Sequence, residues 1–274
     1  MNKQPDPDTQ AVVTCKDGHI IHADVRGTGE PLILLHGWTL DRRMWLYQLP
    51  ALSQHFKVVS FDRRGFGATA SKPSMDRELS DLDDILEQLE IDSAAVLGMS
   101  QGGRITVRYA LTRPEKLNTM ILHAPALDGF SPPAEQPDHI PMEYYSELVR
   151  AGDIEQFRQE WLKHPLMQIP TGHAAVKQKI MEILNDYPAR DLAGDMEEQT
   201  GIGIDAVHRL DQINMPTLII IGAEETPWFA LTAEKFSNEI PGAKKAVIPG
   251  GGHMINMLEP EAYNNTIIQF LQQR

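Results

Sequence analysis

The sequence predicts an α/β protein with a doubly wound, mostly parallel, eight-stranded sheet and an inserted helical cap. Short apolar runs alternate with helical patterns near both ends of the chain, and the long stretch between them has helical patterns and no clear strand. Such alternation is typical of a parallel sheet with helices on both faces. We therefore expect residues 1–127 and 211–274 to form the core domain and residues 128–210 to form the cap.

Composition and charge narrow the class of protein. The chain has 274 residues, 42% of them hydrophobic and 23% charged, which is ordinary for a globular enzyme. Its net charge of −13 disfavours nucleic acid and anionic membranes as partners. The one cysteine, Cys15, excludes an internal disulfide, and no apolar run is long enough to span a bilayer. We expect a cytoplasmic protein that binds a small molecule; a homo-oligomer is possible.

The elements before the cap follow from apolar runs and turn residues. Residues 1–10 are expected to be a disordered tail, and the strands 11–15 and 19–25 form a hairpin around an Asp-Gly turn. The other elements of this half are strands 31–35, 57–61, 94–97 and 117–122 and helices 41–53, 79–89 and 101–112. After the cap, the patterns predict strands 216–221 and 245–248 and helices 228–238 and 254–273.

Residues 98–102, Gly-Met-Ser-Gln-Gly, lie between a predicted buried strand and a predicted helix. A G-x-S-x-G pattern in that context predicts a nucleophile elbow, in which Ser100 occupies a strained turn above the edge of the sheet. The glycines permit a turn too tight for side chains. The helix that starts here directs its unpaired N–H groups and positive dipole end toward an oxyanion beside Ser100.

A serine hydroxyl needs a base to become a nucleophile. His253 follows three glycines directly after the last strand, so its imidazole is the best candidate. His123, which ends the strand beside the elbow, is the rival candidate and is better interpreted as a wall residue.

The histidine in turn needs a carboxylate to hold its tautomer. Glu224 and Glu225 follow the strand 216–221, and Asp128 follows the strand 117–122. Glu224 is interpreted as a solvated loop residue. We predict Glu225 as the acid, with Asp128 as the alternative.

The backbone of residues 36–38, His-Gly-Trp, supplies a second part of the site. The glycine lets this segment pass close to the elbow, so the N–H of Trp38 is expected to join the N–H of Gln101 in an oxyanion hole. No metal-ligand cluster and no phosphate-binding glycine loop is present in the sequence, so no metal and no cofactor are expected.

These motifs, with residues 62–67, 216–225 and 252–253, resemble the α/β-hydrolase fold family in order and spacing over almost the whole chain. The segments 36–48 and 62–67 are similar to bacterial arylesterases and cofactor-free perhydrolases, and residues 100–114 to enol-lactonases and carboxylesterases. The resemblance implies a Ser100 nucleophile, a His253 base, and Trp38 and Gln101 as oxyanion donors. Relatives usually have aspartate where this chain has Glu225, which keeps Asp128 open as the acid.

The expected function is hydrolysis of a small carboxylic ester or lactone through an acyl-enzyme on Ser100. The alternatives are hydrolysis of a carbon–carbon bond, perhydrolysis, and a non-catalytic small-ligand binder. Dehalogenase and epoxide hydrolase chemistry of this fold is excluded because it requires aspartate at position 100. Apolar cap residues, including Trp161 and Met167, are expected to line the substrate site, so that shrinking them changes substrate preference more than stability.

Overall fold

The computed structural model describes residues 8–69, 71–194 and 204–273. Eight strands form one sheet. In chain order they are β1 (Asp8–Thr14), β2 (Ile20–Arg26), β3 (Pro31–Leu35), β4 (Lys57–Phe61), β5 (Ala94–Met99), β6 (Leu117–His123), β7 (Thr217–Gly222) and β8 (Lys244–Ile248).

The spatial order of the strands is β1-β2-β4-β3-β5-β6-β7-β8. β1 and β2 pair antiparallel with each other, and β2 also pairs antiparallel with β4, whereas all later pairs are parallel. Every residue of β5 and of β7 is buried, because helices cover both faces of a parallel sheet. The predicted fold class is therefore confirmed, including the number of strands.

Ten α-helices lie in the described residues. They are α1 (Leu49–Leu52), α2 (Met75–Gln88), α3 (Gln101–Thr112), α4 (Met142–Arg150), α5 (Ile154–Trp161), α6 (Ala174–Asp186), α7 (Arg190–Ala193), α8 (Pro227–Glu239), α9 (Ile255–Leu258) and α10 (Pro260–Gln272). None of the helices in this part of the chain is long and apolar enough to cross a membrane.

The structure corrects three predicted elements. The helix expected over 41–53 is a 3-10 turn, Arg42–Trp45, followed by α1, whose second residue is Pro50. The helix expected over 254–273 is divided into α9 and α10 at Pro260. Proline lacks a backbone N–H and clashes with the preceding turn, so each new helix has its proline in the first turn. The predicted tail is also shorter, because β1 already begins at Asp8, while residues 1–7 lie outside the described ones.

The inserted segment (residues 128–210) joins β6 to β7 and contains α4 to α7. It contacts the loop after β3 through two indole groups. Trp161 Nε1 donates to Thr39 Oγ1 at 2.8 Å, and Trp38 Nε1 donates to Asp191 Oδ2 at 2.5 Å. Both contacts are buried, so the inserted segment packs against the carboxyl end of the sheet where the predicted site residues lie.

Candidate active site

Ser100 lies at the tip of the turn between β5 and α3. Its backbone has φ 52° and ψ −112°, a strained conformation for a residue with a side chain. Three backbone hydrogen bonds fix the turn: Ser100 N donates to His123 O at 2.9 Å, and Arg104 N and Ala126 N donate to Ser100 O at 3.1 and 3.0 Å. The strand, turn and helix expected around this serine are all present.

The glycines around Ser100 are required by close packing. A Cβ atom at Gly98 would lie 2.4 Å from the carbonyl oxygen of Gly102. A Cβ atom at Gly102 would lie 2.5 Å from the carbonyl oxygen of Leu35. Both distances are shorter than a side-chain carbon tolerates, so only glycine allows α3 to start this close to β3.

The turn at residues 36–38 lies directly against the elbow. A Cβ atom at Gly37 would lie 2.5 Å from Met99 Sδ and 3.6 Å from Ser100 Cβ. Gln101 is the first residue of α3, where a backbone N–H has no acceptor within the helix. The two segments that carry the predicted oxyanion donors, Trp38 and Gln101, therefore both adjoin Ser100.

Arg63, which belongs to the motif of residues 62–67 but was not predicted as a site residue, connects these two segments. It is fully buried, and its guanidinium donates to His36 O at 3.0 Å and to Gln101 Oε1 at 2.8 Å. Glu78 neutralises it through two hydrogen bonds of 2.6 and 2.9 Å. The available signal was its place two residues after the buried strand β4. A charged residue at the carboxyl end of a parallel strand lies near the site in this kind of fold.

His253 contacts Glu225 in the structure. Its Nδ1 atom lies 3.2 Å from each carboxylate oxygen of Glu225, and the two side chains are 4% and 1% exposed. Glu225 Oε1 also accepts the backbone N–H of Thr226 at 2.9 Å. A neutral imidazole that donates from Nδ1 to this carboxylate carries its lone pair on Nε2, as a general base requires.

The other two carboxylates lie elsewhere. Asp128 accepts two hydrogen bonds from Arg108, from Nε at 2.6 Å and from a terminal nitrogen at 2.9 Å. Glu224 is exposed. The structure thus brings His253 together with Glu225 and pairs Asp128 with an arginine.

His123 lies behind the site at the end of β6. It is fully buried, and its ring centroid is 6.4 Å from that of His253 and 5.2 Å from that of Tyr263. Burial, and to a smaller degree the neighbouring His253, lowers the pKa of His123 well below its usual value. The imidazole is therefore neutral in the folded protein at neutral pH.

The lowered pKa of His123 predicts a loss of stability in acid. The unfolded chain binds a proton at this residue below about pH 6.5, and the folded chain does not. Its stabilising contribution is therefore complete above that pH and declines below it, by up to about 1.4 kcal/mol per pH unit. We expect a plot of unfolding free energy against pH from 7.5 to 5.5 to be less steep for His123→Phe than for the wild type. Equal slopes would contradict this expectation.

Asp191, in α7, holds the Trp38 side chain. One carboxylate oxygen accepts the indole N–H and the other accepts the hydroxyl of Tyr187. Burial raises the pKa of this carboxyl group above its usual value. Sequence reasoning missed Asp191, and no local pattern marks it, because its partner Trp38 lies 153 positions earlier in the chain.

Within the residues that the structure describes, Ser100 lines a small and a larger cavity. The small one, of about 20 Å³, is lined by Ser100, His253 and Trp38, together with Trp161 and Met167 of the inserted segment. The larger one, of about 480 Å³, also reaches Ser100 and Gln101, and that volume is typical of a small-molecule site. Most of its wall is apolar or aromatic, including Phe130, Met142 and Trp228.

One group of potential metal ligands, Cys15, Asp17 and His19, occurs among the residues that the structure describes. Arg64 lies beside it, with one guanidinium nitrogen 2.8 Å from His19 Nδ1 and 3.0 Å from Asp17 Oδ2. A fixed positive charge at these ligand atoms opposes binding of a cation.

A sequence match agrees with this geometry of the elbow, the His253–Glu225 pair and the sheet. The model of the alpha/beta hydrolase fold family matches residues 30–260. The chain belongs to the α/β-hydrolase fold family. The resemblance predicted from the motifs is confirmed, and relatives of this α/β hydrolase include esterases.

Three similar proteins illustrate the range of names that such relatives carry. An esterase from Thermogutta terrifontis is 25% identical, with a TM-score of 0.83 over 97% of this chain and 98% of that one. A bromoperoxidase from Bacillus anthracis is 26% identical, with a TM-score of 0.80 over 96% of this chain and all of that one. A 2-hydroxy-6-oxo-6-(2'-aminophenyl)hexa-2,4-dienoic acid hydrolase from Metapseudomonas resinovorans is 24% identical over 90% of this chain and 86% of its own length.

Proposed function

We propose that this α/β hydrolase is a serine hydrolase that cleaves a small carboxylic ester or lactone. The observation that supports it best is the contact of His253 Nδ1 with Glu225, because His253 also lines a cavity with Ser100. Ser100, His253 and Glu225 can therefore act as the nucleophile, the base and the acid that orients the base. The esterase among the similar structures supports the same reaction class.

In the proposed reaction, Ser100 Oγ attacks the substrate carbonyl carbon while His253 Nε2 takes the hydroxyl proton. The backbone N–H groups of Trp38 and Gln101 stabilise the oxyanion, a contribution of a few kcal/mol to the transition state. The carbon–oxygen bond to the alcohol then breaks, and His253 gives its proton to that oxygen. Water, activated by His253, releases the acid and regenerates Ser100. No step uses a metal or a cofactor.

The positions of the charges fit this sequence of steps. Glu225 is buried beside His253, so its negative charge stabilises the imidazolium that forms when the serine proton is transferred. Arg63, paired with Glu78 and bonded to His36 O and Gln101 Oε1, keeps the two oxyanion segments in place. We assign it a positioning role.

A fluorophosphonate probe tests the nucleophile. We expect wild-type protein to be labelled at Ser100, as shown by mass spectrometry of the labelled peptide, and Ser100→Ala to remain unlabelled. Ser131, which lines the larger cavity, supplies a matched control, since Ser131→Ala should be labelled at the wild-type rate. Absence of labelling in the wild type would favour a non-catalytic ligand-binding protein.

Hydrolysis of a carbon–carbon bond is the second candidate, because a curated relative is a hydrolase of a 2-hydroxy-6-oxo dienoic acid. Perhydrolysis is a further activity that the same residues allow. Parallel assays with short p-nitrophenyl esters and a ring-cleavage diketone distinguish the first two. We expect turnover of the esters to exceed that of the diketone.

We also propose that residues 128–210 act as a cap that selects the substrate, over a core of residues 1–127 and 211–274. Helices of this segment contribute Met142 and Glu143 to the larger cavity, and Trp161 to the smaller one. Because the reacting groups come from the core, substitutions in this segment should change substrate choice without altering the reaction itself.

Met142→Ala should change acyl-chain preference with little loss of stability. Met142 is only partly buried and lines the larger cavity, so its removal enlarges the site. We expect the ratio of kcat/KM for octanoyl to butanoyl p-nitrophenyl esters to rise about tenfold, and the unfolding free energy to fall by about 1 kcal/mol. An unchanged ester profile would contradict the role of the cap in selection.

Trp161 lines the smaller cavity, and unlike Met142 it is also a buried packing residue. It is 3% exposed, packs on Trp38 at 4.8 Å between ring centroids and hydrogen-bonds Thr39. Trp161→Ala should therefore cost about 3–5 kcal/mol of stability.

A further inference from the structure

Arg104 is a charged residue in the larger cavity that the proposed reaction does not use. It lies one helical turn after Ser100, since its backbone N donates to Ser100 O at 3.1 Å. Its side chain is 22% exposed and lines the cavity beside Ser100 and Gln101. A guanidinium group therefore faces the space where a substrate would lie.

The guanidinium of Arg104 is incompletely paired. Its Nε atom is buried and has no hydrogen-bond partner within residues 8–69, 71–194 and 204–273. The carboxylate oxygen nearest to this nitrogen, Asp128 Oδ1, is 3.6 Å away, too far for a hydrogen bond. That carboxylate is already engaged by Arg108 at 2.6 and 2.9 Å.

Of the three arginines near this cavity, Arg104 has the longest ion pair, since Asp128 lies 3.6 Å from its Nε atom. Arg63 is neutralised by Glu78 and Arg108 by Asp128, at distances of 2.6 Å in both pairs. Burial lowers the pKa of Arg104 from its usual value. The positive charges of Arg108 and Arg63 lower it further, whereas the negative charge of Asp128 raises it. A buried guanidinium nitrogen without a hydrogen bond is costly, and an anionic ligand that accepts from it removes that cost.

Two acidic residues also line this cavity, and neither neutralises Arg104. Asp138 is fully buried, and its Oδ2 atom accepts the backbone N–H of Trp228 at 2.8 Å. Glu143 is exposed in the first turn of α4. Neither residue is among the groups that shift the pKa of Arg104.

We propose that the ester or lactone substrate carries a carboxylate and that Arg104 binds it inside the larger cavity. This inference rests on the proposed hydrolase function and specifies its substrate class. The planar guanidinium matches the two oxygens of a carboxylate, and the apolar wall accommodates the carbon chain between the carboxylate and the scissile bond. The substrate is therefore a monoester of a short dicarboxylic acid or a lactone with a carboxylate side group.

The test compares esters of equal chain length that differ only in the terminal carboxylate. Monoethyl esters of glutaric, adipic and pimelic acid are paired with ethyl pentanoate, hexanoate and heptanoate, and hydrolysis is followed in a pH-stat. We expect kcat/KM of the wild type to be at least about tenfold higher for the charged member of the best pair. In Arg104→Met this ratio should fall to about one, and Arg104→Lys should recover part of it because the charge remains without the planar fork.

Arg113→Met is the matched control. Arg113 follows the same helix, α3, at its far end and pairs with Asp83 at 2.7 Å, away from the cavity. It should leave the ratio of charged to neutral substrates unchanged. A wild-type ratio near one, or an equal loss for both members of each pair in Arg104→Met, would overturn the inference.

Two further measurements separate this inference from the hydrolase proposal. If the fluorophosphonate labels Ser100 but the charged esters are not preferred, only the assignment of Arg104 fails. If Ser100 is not labelled, thermal unfolding with adipate or hexanoate decides the matter for Arg104. A rise in Tm with adipate in the wild type but not in Arg104→Met would support the carboxylate site, and equal shifts in the two proteins would contradict it.

Discussion

Ser100→Ala should lower kcat for a short p-nitrophenyl ester by about 10⁵- to 10⁶-fold. The substitution removes the one atom on which the acyl-enzyme forms, and His253 then has no hydroxyl to deprotonate. The remaining rate would come from the oxyanion donors and from substrate binding. A burst assay with purified protein should likewise lose the initial release of p-nitrophenol.

The same variant should fold like the wild type. Alanine at position 100 adopts the same strained φ of 52° as serine does, and its side chain is smaller. We expect the thermal unfolding midpoint to change by no more than a few degrees. Retention of more than a tenth of wild-type kcat by a correctly folded Ser100→Ala protein would refute the proposed mechanism.

Glu225→Gln should lower kcat by about 10⁴-fold. The carboxylate contacts His253 Nδ1 with both oxygens at 3.2 Å, whereas an amide can present its NH₂ group to that nitrogen and favour the wrong tautomer. The amide also lacks the negative charge that stabilises the imidazolium. Fluorophosphonate labelling of Ser100 should slow in parallel, because the same base activates the serine.

Asp128→Asn is the matched control for Glu225→Gln, since it makes the same chemical change at the alternative acid. Asp128 pairs with Arg108, and their side chains are 9% and 2% exposed. Loss of the carboxylate removes the shorter of two ion pairs of the buried Arg108, whose other partner is Asp76 at 3.5 Å, which should cost about 3 kcal/mol of stability. We expect kcat at 20 °C to stay within a few-fold of the wild type. A large loss of kcat in Asp128→Asn with none in Glu225→Gln would move the acid to the other strand.

Local sequence features predicted the parts of the protein that depend on neighbours in the chain. β3, β4 and α3 have their predicted limits, because apolar runs and helical spacing act over a few residues. The glycines at 98 and 102 predicted the elbow. Each permits a close backbone contact, and the contact between Gly98 and Gly102 joins residues that are near in the chain. The predicted helix limits were wrong where a proline interrupted an otherwise helical pattern, at Pro50 and Pro260.

The sequence by itself therefore determined the sheet, the strained serine and the glycine-flanked histidine. Only the tertiary structure decided which carboxylate His253 contacts. Glu225 and Asp128 both follow buried strands, and their local sequences do not distinguish them. The distinction arises because α3 places Arg108 beside Asp128, while the loops after β7 and β8 pack closely enough that Gly252 adjoins the backbone of Glu224. The incomplete pairing of Arg104 has the same origin, since the partner it would need is engaged by a residue one helical turn further along.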